Sequence, residues 1–545
     1  MITVRNWKAF LLLIILGSAL ATSAQTAPNV PRSADEVLAR ANTLIAAKDY
    51  DGAMKLLKSA IDRYPTQSQF YLMLADCQES RGLSDLPAAV NMDAATWFRQ
   101  GLNQDVYVPL ACDLFDTYGK AMMYVPNIKP IQQRVADLVA NQFPVLLGEY
   151  GPLALPGDPM PCLITLTDPQ LPTQARGVYQ GLITTRPLPV TPSYEKDPKY
   201  GADNSFDANP TYGRWAFQQM LLAYEFDREQ RCWRLRFRVI WQDVPGQAEN
   251  RLRLARYCAM LLLRCSSLLH AYAGLTPRFA ADGALNVWLT EKGDPGGETY
   301  DENIYLYNVG VPRSPTEWAR ELAHEYGHEA LPPVGGYAKP EWGASGYLGE
   351  RLFLRWLLLN RDAKADSHPW VRGLDEQEIK TGRIEQVIRQ FAALGPDSQA
   401  MRGTDKVAMD GFLGMACYLE MSRGSEYLIT LLKGLATPTY GGPQGFLDTL
   451  AAQEAYYQDP EHAIVSLRMA ELPNDIPLWI YLRAGAWKGE VTGGGQLKIE
   501  VDGKEVKANG NTFTTPALNK GWHSIRITSG AMDAPALSGL KLVRQ

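Results

Sequence analysis

The stretch Ser314-Pro315-Thr316-Glu317-Trp318-Ala319-Arg320-Glu321-Leu322-Ala323-His324-Glu325-Tyr326-Gly327-His328 decides how this chain is read. Ser314 is a good helix N-cap, Pro315 suits the first helical position, and Glu317 completes a capping box. A helix therefore starts here and runs to Pro332-Pro333. His324 and His328 stand one turn apart on it, on one face. Two imidazoles so placed reach a single zinc ion at about 2.0–2.1 Å. Glu325, next to the first, is positioned to take a proton from a water on that metal. The chain holds only 6 His, so a rich supply of histidine does not explain the spacing. His270, His368, His462 and His523 stand alone and read as structural or exposed.

Outward from this helix, residues 245–273 read as one long helix. Leu285-Asn286-Val287-Trp288-Leu289 and Ile304-Tyr305-Leu306-Tyr307-Asn308-Val309 read as strands, and residues 345–359 as a further helix. With His324-Glu325-Tyr326-Gly327-His328, this order of helix, strand, strand and active-site helix resembles the zincin metallopeptidases over residues 245–330. The resemblance implies hydrolysis of peptide bonds by a zinc-held water, with Glu325 as general base and His324 and His328 as ligands. It also implies that residues 304–309 are the edge strand along which a peptide substrate lies. The metzincin extension of the motif is absent, so the gluzincin branch is the one resembled. That branch takes its third ligand from a Glu in a Trp-x-x-Glu-Gly pattern on the next helix.

Here the sequence is Pro340-Glu341-Trp342-Gly343-Ala344-Ser345-Gly346-Tyr347-Leu348-Gly349-Glu350, with Ser345 where the pattern has Glu. Two carboxylates are candidates in its place. Glu350 opens a helix that is apolar nearly all round and hence buried. A carboxylate there requires a cation, either the zinc or a neighbouring arginine such as Arg351 or Arg355. Glu350 is the expected metal ligand and Glu341 the other candidate. The oxyanion donor of such enzymes is a downstream Tyr or His. Tyr418 and Tyr427 are available, and nothing singles either out.

The rest of the 545 residues divides by texture. Arg5 and Lys8, then an apolar run over residues 9–20 and small residues before Ala24, read as a cleaved export signal over 1–24. The run is short for a bilayer span, which takes about 20 apolar residues. Residues 33–140 read as helical. Lys48-Asp49-Tyr50-Asp51-Gly52-Ala53, with Leu57, Ala60, Ile61 and Pro65, resembles the second half of a tetratricopeptide repeat and implies a protein partner. Residues 141–243 are β-rich. Residues 222–226 and 234–241 form an expected hairpin in which Arg234, Arg236 and Arg238 alternate with apolar residues as on a solvated sheet face. Residues 244–472 hold the zincin-like domain. Residues 474–545 alternate as strands do, with Asp502-Gly503 and Asn509-Gly510 turns, and read as a β-sandwich. Its aromatics Trp479, Tyr481, Trp487 and Trp522 are core or a glycan- or protein-binding platform.

The expected fold is thus multidomain α+β: a tetratricopeptide-like helical region, a β-rich segment, a zincin α+β catalytic domain and a C-terminal β-sandwich. The expected function is that of an exported, secreted or periplasmic, zinc metallopeptidase acting on a protein or peptide. The alternative is a catalytically decayed zincin serving as an extracytoplasmic binding scaffold, a reading that rests on Ser345. A net charge of −5, from 54 basic and 59 acidic residues, gives no footprint for nucleic acid. No carboxylate pair points to a glycoside hydrolase. Seven cysteines are too few for a disulfide scaffold, and an odd count leaves at least one thiol unpaired within the chain.

Overall fold

The structure is a computed structural model. It describes residues 33–84, 160–187, 217–227, 232–242, 244–275, 284–291, 293–300, 303–361, 368–435, 442–457, 464–529 and 536–545, with scattered positions between 114 and 134. The export-signal reading of 1–24 lies outside these residues, as does most of the helical reading between 85 and 140. The chain divides into two units, residues 1–80 and 81–545.

The first unit is a helical hairpin with a third helix: α1 Ala34–Ala46, α2 Tyr50–Arg63 and α3 Ser68–Ser84. Ser33 and Asp49 cap α1 and α2 through their side chains, satisfying amide groups that a helix start leaves without partners. Lys48 turns the chain between them at φ 58°. Ala53, Leu57 and Ala60 of α2 are buried with Val37, Ala41, Phe70 and Leu74. These are the small and apolar positions that single out the repeat in the sequence.

The second unit is built on a sheet of seven strands. β1 Met160–Leu166, β2 Gly177–Pro187, β3 Phe217–Asp227 and β4 Cys232–Gln242 form an antiparallel meander. Helix α4, Ala248–Ala273, then crosses over to β5 Leu285–Leu289, which pairs parallel with β4. β6 Gly296–Tyr300 and β7 Asn303–Tyr307 follow, and β7 inserts between β5 and β6. Two expectations change here. The sequence boundary at residue 243 falls inside one continuous sheet, because β4 pairs with β5 across it. The strand around 304–309 is interior, and the edge is β6, whose Gly-Gly start hides it from a period-two reading.

α4 is buried over nearly its whole C-terminal half, with the sheet on one side and helices on the other, and Gly274 ends it in the left-handed conformation at φ 56°. α5 Pro315–Ala330 carries the capping box in full: Glu317 N–H donates to Ser314 Oγ at 3.1 Å and Ser314 N–H to Glu317 Oε2 at 2.6 Å. α6 Ser345–Leu359 packs on α5 at backbone distance. A Cβ on Gly349 would lie 2.5 Å from Gly327 Cα, and one on Gly327 would lie 2.6 Å from Ser345 O. Those glycines let the two helices approach closely enough to share one site.

A one-turn helix at Pro369–Arg372 and a π-helix at Glu378–Glu385 lead into α7 Gln386–Leu394, α8 Lys406–Arg423, α9 Ser425–Leu435 and α10 Gly442–Tyr457. Trp370 stacks on Trp318 of α5 with centroids 5.2 Å apart. Beside it, buried His368 donates through Nε2 to Tyr257 O at 2.9 Å and accepts from Trp370 N–H at Nδ1. Burial, aided by the Arg264 charge, lowers its pKa from 6.5 to about 3. Between those values the unfolded chain binds a proton that the folded one refuses. His368 therefore leaves stability intact above pH 6.5 and erodes it as pH falls toward 3. The expected slope is up to about 1.4 kcal/mol per pH unit. Chemical unfolding across this range should show the slope in the parent and its loss in His368→Gln; equal slopes would acquit His368.

The C-terminal strands form two antiparallel sheets, as a sandwich requires. β8 Ile464–Arg468, β10 Trp487–Thr492, β13 Ala508–Asn509, β14 Thr512–Thr514 and β16 Gly539–Arg544 make the first. β9 Leu478–Leu482, β11 Leu497–Val501, β12 Lys504–Val506 and β15 Gly521–Ser529 make the second. Asp502-Gly503 closes β11 on β12 with both residues at positive φ, 49° and 73°. The sandwich is no loose appendage, because its core is continuous with that of the sheet and helices. Trp487 is fully buried; Trp479, Tyr481 and Trp522 are half-buried. Trp479 donates its indole N–H to Ala392 O of α7 at 2.9 Å. Among the described residues no helix is long and apolar enough to cross a membrane. Cys77, Cys258, Cys265 and Cys417 are buried free thiols.

Candidate metal centre

α5 projects His324 and His328 into a cavity of about 460 Å³. Its walls come from β6 (Gly297, Glu298, Thr299), from the loop after α5 (Pro333, Val334, Glu341, Trp342) and from the start of α6. The loop is held in shape by its own backbone: Ala344 N–H donates to Val334 O at 2.7 Å and Tyr337 N–H to Trp342 O at 3.2 Å. This closure carries Glu341 back over the two rings. Its carboxylate lies 3.4 Å from His324 Nε2 and 3.6 Å from His328 Nε2. One donor atom from each of His324, His328 and Glu341 lies within 4.8 Å of the other two, and such a group can hold a metal ion.

Glu350 is brought to the site but to the other side of the His324 ring, with Oε2 3.7 Å from Nδ1. It is 1% exposed, and Arg383 Nη1 donates to its Oε1 at 2.8 Å. The expected ligand thus faces away from the two Nε2 atoms, and the cation it requires is Arg383, with Arg320 Nη1 at 3.8 Å. Arg351 and Arg355 take other partners: Arg351 donates to Tyr347 O, and Arg355 meets Glu420 and Glu471. The physical reason lies in α6 itself. Glu350 falls one turn after Gly346, and Gly346 is the position that faces the rings. A Cβ there would sit 2.3 Å from His328 Nε2 and 2.7 Å from His324 Nε2. Ser345 is next to the site as well, with Oγ 3.3 Å from His328 Nδ1.

Glu325 lies under the edge strand. Thr299 of β6 donates to its Oε2 at 2.6 Å, and a Cβ on Gly297 would come within 2.7 Å of its Oε1. Only glycine lets β6 pass this closely over the carboxylate. Burial raises the pKa of Glu325 from 4.5 to about 7, against the lowering effect of His324 and Thr299. For His324, burial disfavours the charged ring, yet Glu341, Glu350 and Glu325 outweigh it and raise the pKa to about 10. His328 moves the other way, to about 4, through burial and the charge on His324. Burial pushes Glu350 up, but the His324 contact and the Arg351, Arg383 and Arg320 charges hold it below the usual carboxylate range. The net electrostatic bias of the site is toward a positive charge at the rings.

Tyr418 and Tyr427 do not reach this cavity. Tyr418 is buried and donates to Trp479 O, and Tyr427 meets Glu454. Arg234, Arg236 and Arg238 are not among the described residues that line this cavity. Arg236 pairs with buried Glu225 at 2.8 Å, which also accepts from Ser266 and Ser267 of α4. Glu341 is the member of this group that the sequence reading ranks second, since it sits in a loop without periodicity; its place after α5 and beside Trp342 is the local signal.

Residues 34–77 match the tetratricopeptide repeat family. No curated protein matches the chain.

Proposed function

We propose that the chain is an exported zinc metallopeptidase of the gluzincin type, with His324, His328 and Glu341 as metal ligands and Glu325 as general base. The observation that carries this reading is the convergence of two imidazoles and a carboxylate on one point, with Glu325 beside it in the same cavity. Two nitrogens and one carboxylate oxygen are a usual donor set of a catalytic zinc, which keeps a fourth position open. Glu341 Oε1 is buried without a hydrogen-bond partner, as a group awaiting a cation would be. Zinc, when bound, supplies Lewis-acid polarisation of a carbonyl and a water acidified to a pKa of about 7.

The chain's own residues do the rest. Glu325 takes and returns a proton at Oε1, since Oε2 is occupied by Thr299. Among the described residues β6 is the edge strand beside Glu325, so an extended peptide can pair with it through main-chain hydrogen bonds. Glu298 and Glu341 line the cavity with no Lys or Arg among its described lining residues, which disfavours acidic side chains next to the scissile bond. Tetratricopeptide repeats generally bind proteins, so α1 to α3 offer a protein-partner surface.

A second reading, a decayed scaffold, is favoured by one observation: α6 presents Gly346, not a carboxylate, to the two ring Nε2 atoms. Zinc affinity of the purified full chain, by competition with a chelator, tests the metal centre on which the enzyme reading rests. The expected result is one tightly held zinc per chain, lost in Glu341→Ala. In Glu350→Ala it should be weakened by roughly 10–100-fold, the usual cost of an outer partner. A chain that binds no zinc sinks the enzyme reading, and tight zinc in Glu341→Ala sinks Glu341 as a ligand.

A further inference from the structure

The π-helix at Glu378–Glu385 is unusually long for its kind. Two pairs of residues in it repeat at a spacing of five. Ile379 and Ile384 are both buried, at 0% and 4% exposure. Beside them Glu378 and Arg383 meet, with Arg383 Nε and Nη2 donating to Glu378 Oε1 at 3.1 and 2.7 Å. In an α-helix, positions five apart diverge by about 140° around the axis. Bonding from i to i+5 brings them to the same side. The π-helix therefore anchors its apolar pair and clamps its arginine by the same geometry.

The clamp leaves one arm of the guanidinium free, and that arm, Nη1, reaches Glu350 Oε1 at 2.8 Å. Glu350 Oε2 in turn faces His324 Nδ1 at 3.7 Å, with Arg320 Nη1 at 3.8 Å, and both Oε2 and Nδ1 are buried without a hydrogen bond. An imidazole that offers Nε2 to a cation carries its proton on Nδ1, aimed here at Glu350. Residues of two elements, the π-helix and α6, thus stand in line behind one ring.

We propose that Arg383, clamped by Glu378 on the π-helix, is a positioning residue for the metal centre: it fixes Glu350, which fixes the orientation and tautomer of His324. This rests on the reading of His324, His328 and Glu341 as zinc ligands. Arg383 touches neither metal nor substrate and acts only through Glu350. Its planar fork holds two carboxylates at once, which a lysine cannot reproduce.

The test measures zinc affinity of the full chain by chelator competition, the visible spectrum of the cobalt-substituted protein, and the melting temperature without metal. Arg383→Met should weaken zinc roughly 10–100-fold and alter the cobalt spectrum, with Arg383→Lys recovering part of the loss. Glu350→Gln combined with Arg383→Met should bind zinc no worse than Glu350→Gln alone, because the two act in series. Parental zinc affinity in Arg383→Met, with only a lower melting temperature, would reduce Arg383 to a structural ion pair. Additive losses in the double variant would show a route that bypasses Glu350. Should Arg383→Met not fold, Glu378→Gln keeps the test alive: it loosens the fork but leaves Glu350 its counter-charge, and unchanged zinc affinity there overturns the clamp. A parent chain that binds no zinc overturns the metal centre itself, an outcome distinct from a parent that binds it and a variant that binds it equally.

Discussion

Gly346→Ala is expected to abolish tight zinc binding while leaving the metal-free fold as stable as the parent or slightly more so. The two effects have opposite physical origins. Gly346 is the second residue of α6 and has no left-handed φ, so its backbone accepts any residue, and alanine in this first turn is favoured over glycine by at most roughly 0.5 kcal/mol. The added methyl, however, would sit 2.3 Å from His328 Nε2 and 2.7 Å from His324 Nε2, well inside van der Waals contact. Imidazole rings are side-chain ends and can swing away, which spares the fold. In doing so they leave the positions that converge with Glu341. The loss of zinc affinity should exceed the roughly 10–100-fold that removal of an outer partner costs. Calorimetric titration with zinc, beside a melting curve of the metal-free variant, reads both effects. Zinc bound by Gly346→Ala as tightly as by the parent would mean that the metal lies elsewhere or does not bind through the Nε2 atoms.

Much of this site is legible in the sequence, because the signals are local. The capping box, the one-turn spacing of His324 and His328, and Glu325 between them are all properties of a single helix, and α5 forms as they require. The β3–β4 hairpin and the Asp502-Gly503 turn are local in the same sense. What escapes the sequence is decided by contacts between distant segments. Glu341 reaches the rings because its loop closes on itself and is held by the distant Thr404 carbonyl, which accepts from Ala338 N–H at 2.6 Å, and such closure leaves no periodic trace. Glu350 is buried and paired as its apolar helix demands, but a helix pattern gives burial and not direction. Gly346, one turn earlier, is what faces the rings, and the cation for Glu350 comes from a π-helix whose five-residue period no 3.6-residue reading looks for. The edge strand β6 is short and opens on two glycines, so the neighbouring aromatic strand β7 takes its place in a reading based on β propensity. The sandwich strands alternate as expected, yet alternation cannot tell a separate domain from one whose core runs on into its neighbour.

Glu325→Gln is expected to leave the metal in place and remove hydrolysis. The amide has nearly the shape of the carboxylate, and its oxygen can still accept from Thr299, so β6 and α5 keep their contact. None of His324, His328 and Glu341 is altered, and zinc affinity should stay within a few-fold of the parent. An amide, however, has no proton affinity to offer near neutral pH, whereas burial gives Glu325 a pKa of about 7. General-base catalysis contributes typically about 10²–10⁴-fold, and turnover should fall by that order. Because the substrate is unidentified, the assay is the zinc-loaded full chain against a pool of unstructured peptides, with new termini counted by mass spectrometry. Cleavage by the parent that persists undiminished in Glu325→Gln would remove Glu325 from the reaction. No cleavage by a parent that holds zinc tightly would move the chain to the scaffold reading, with β6 and the tetratricopeptide region as its binding surfaces. Cleavage lost in the variant at unchanged zinc content is the outcome expected of a general base, since only the proton acceptor has changed.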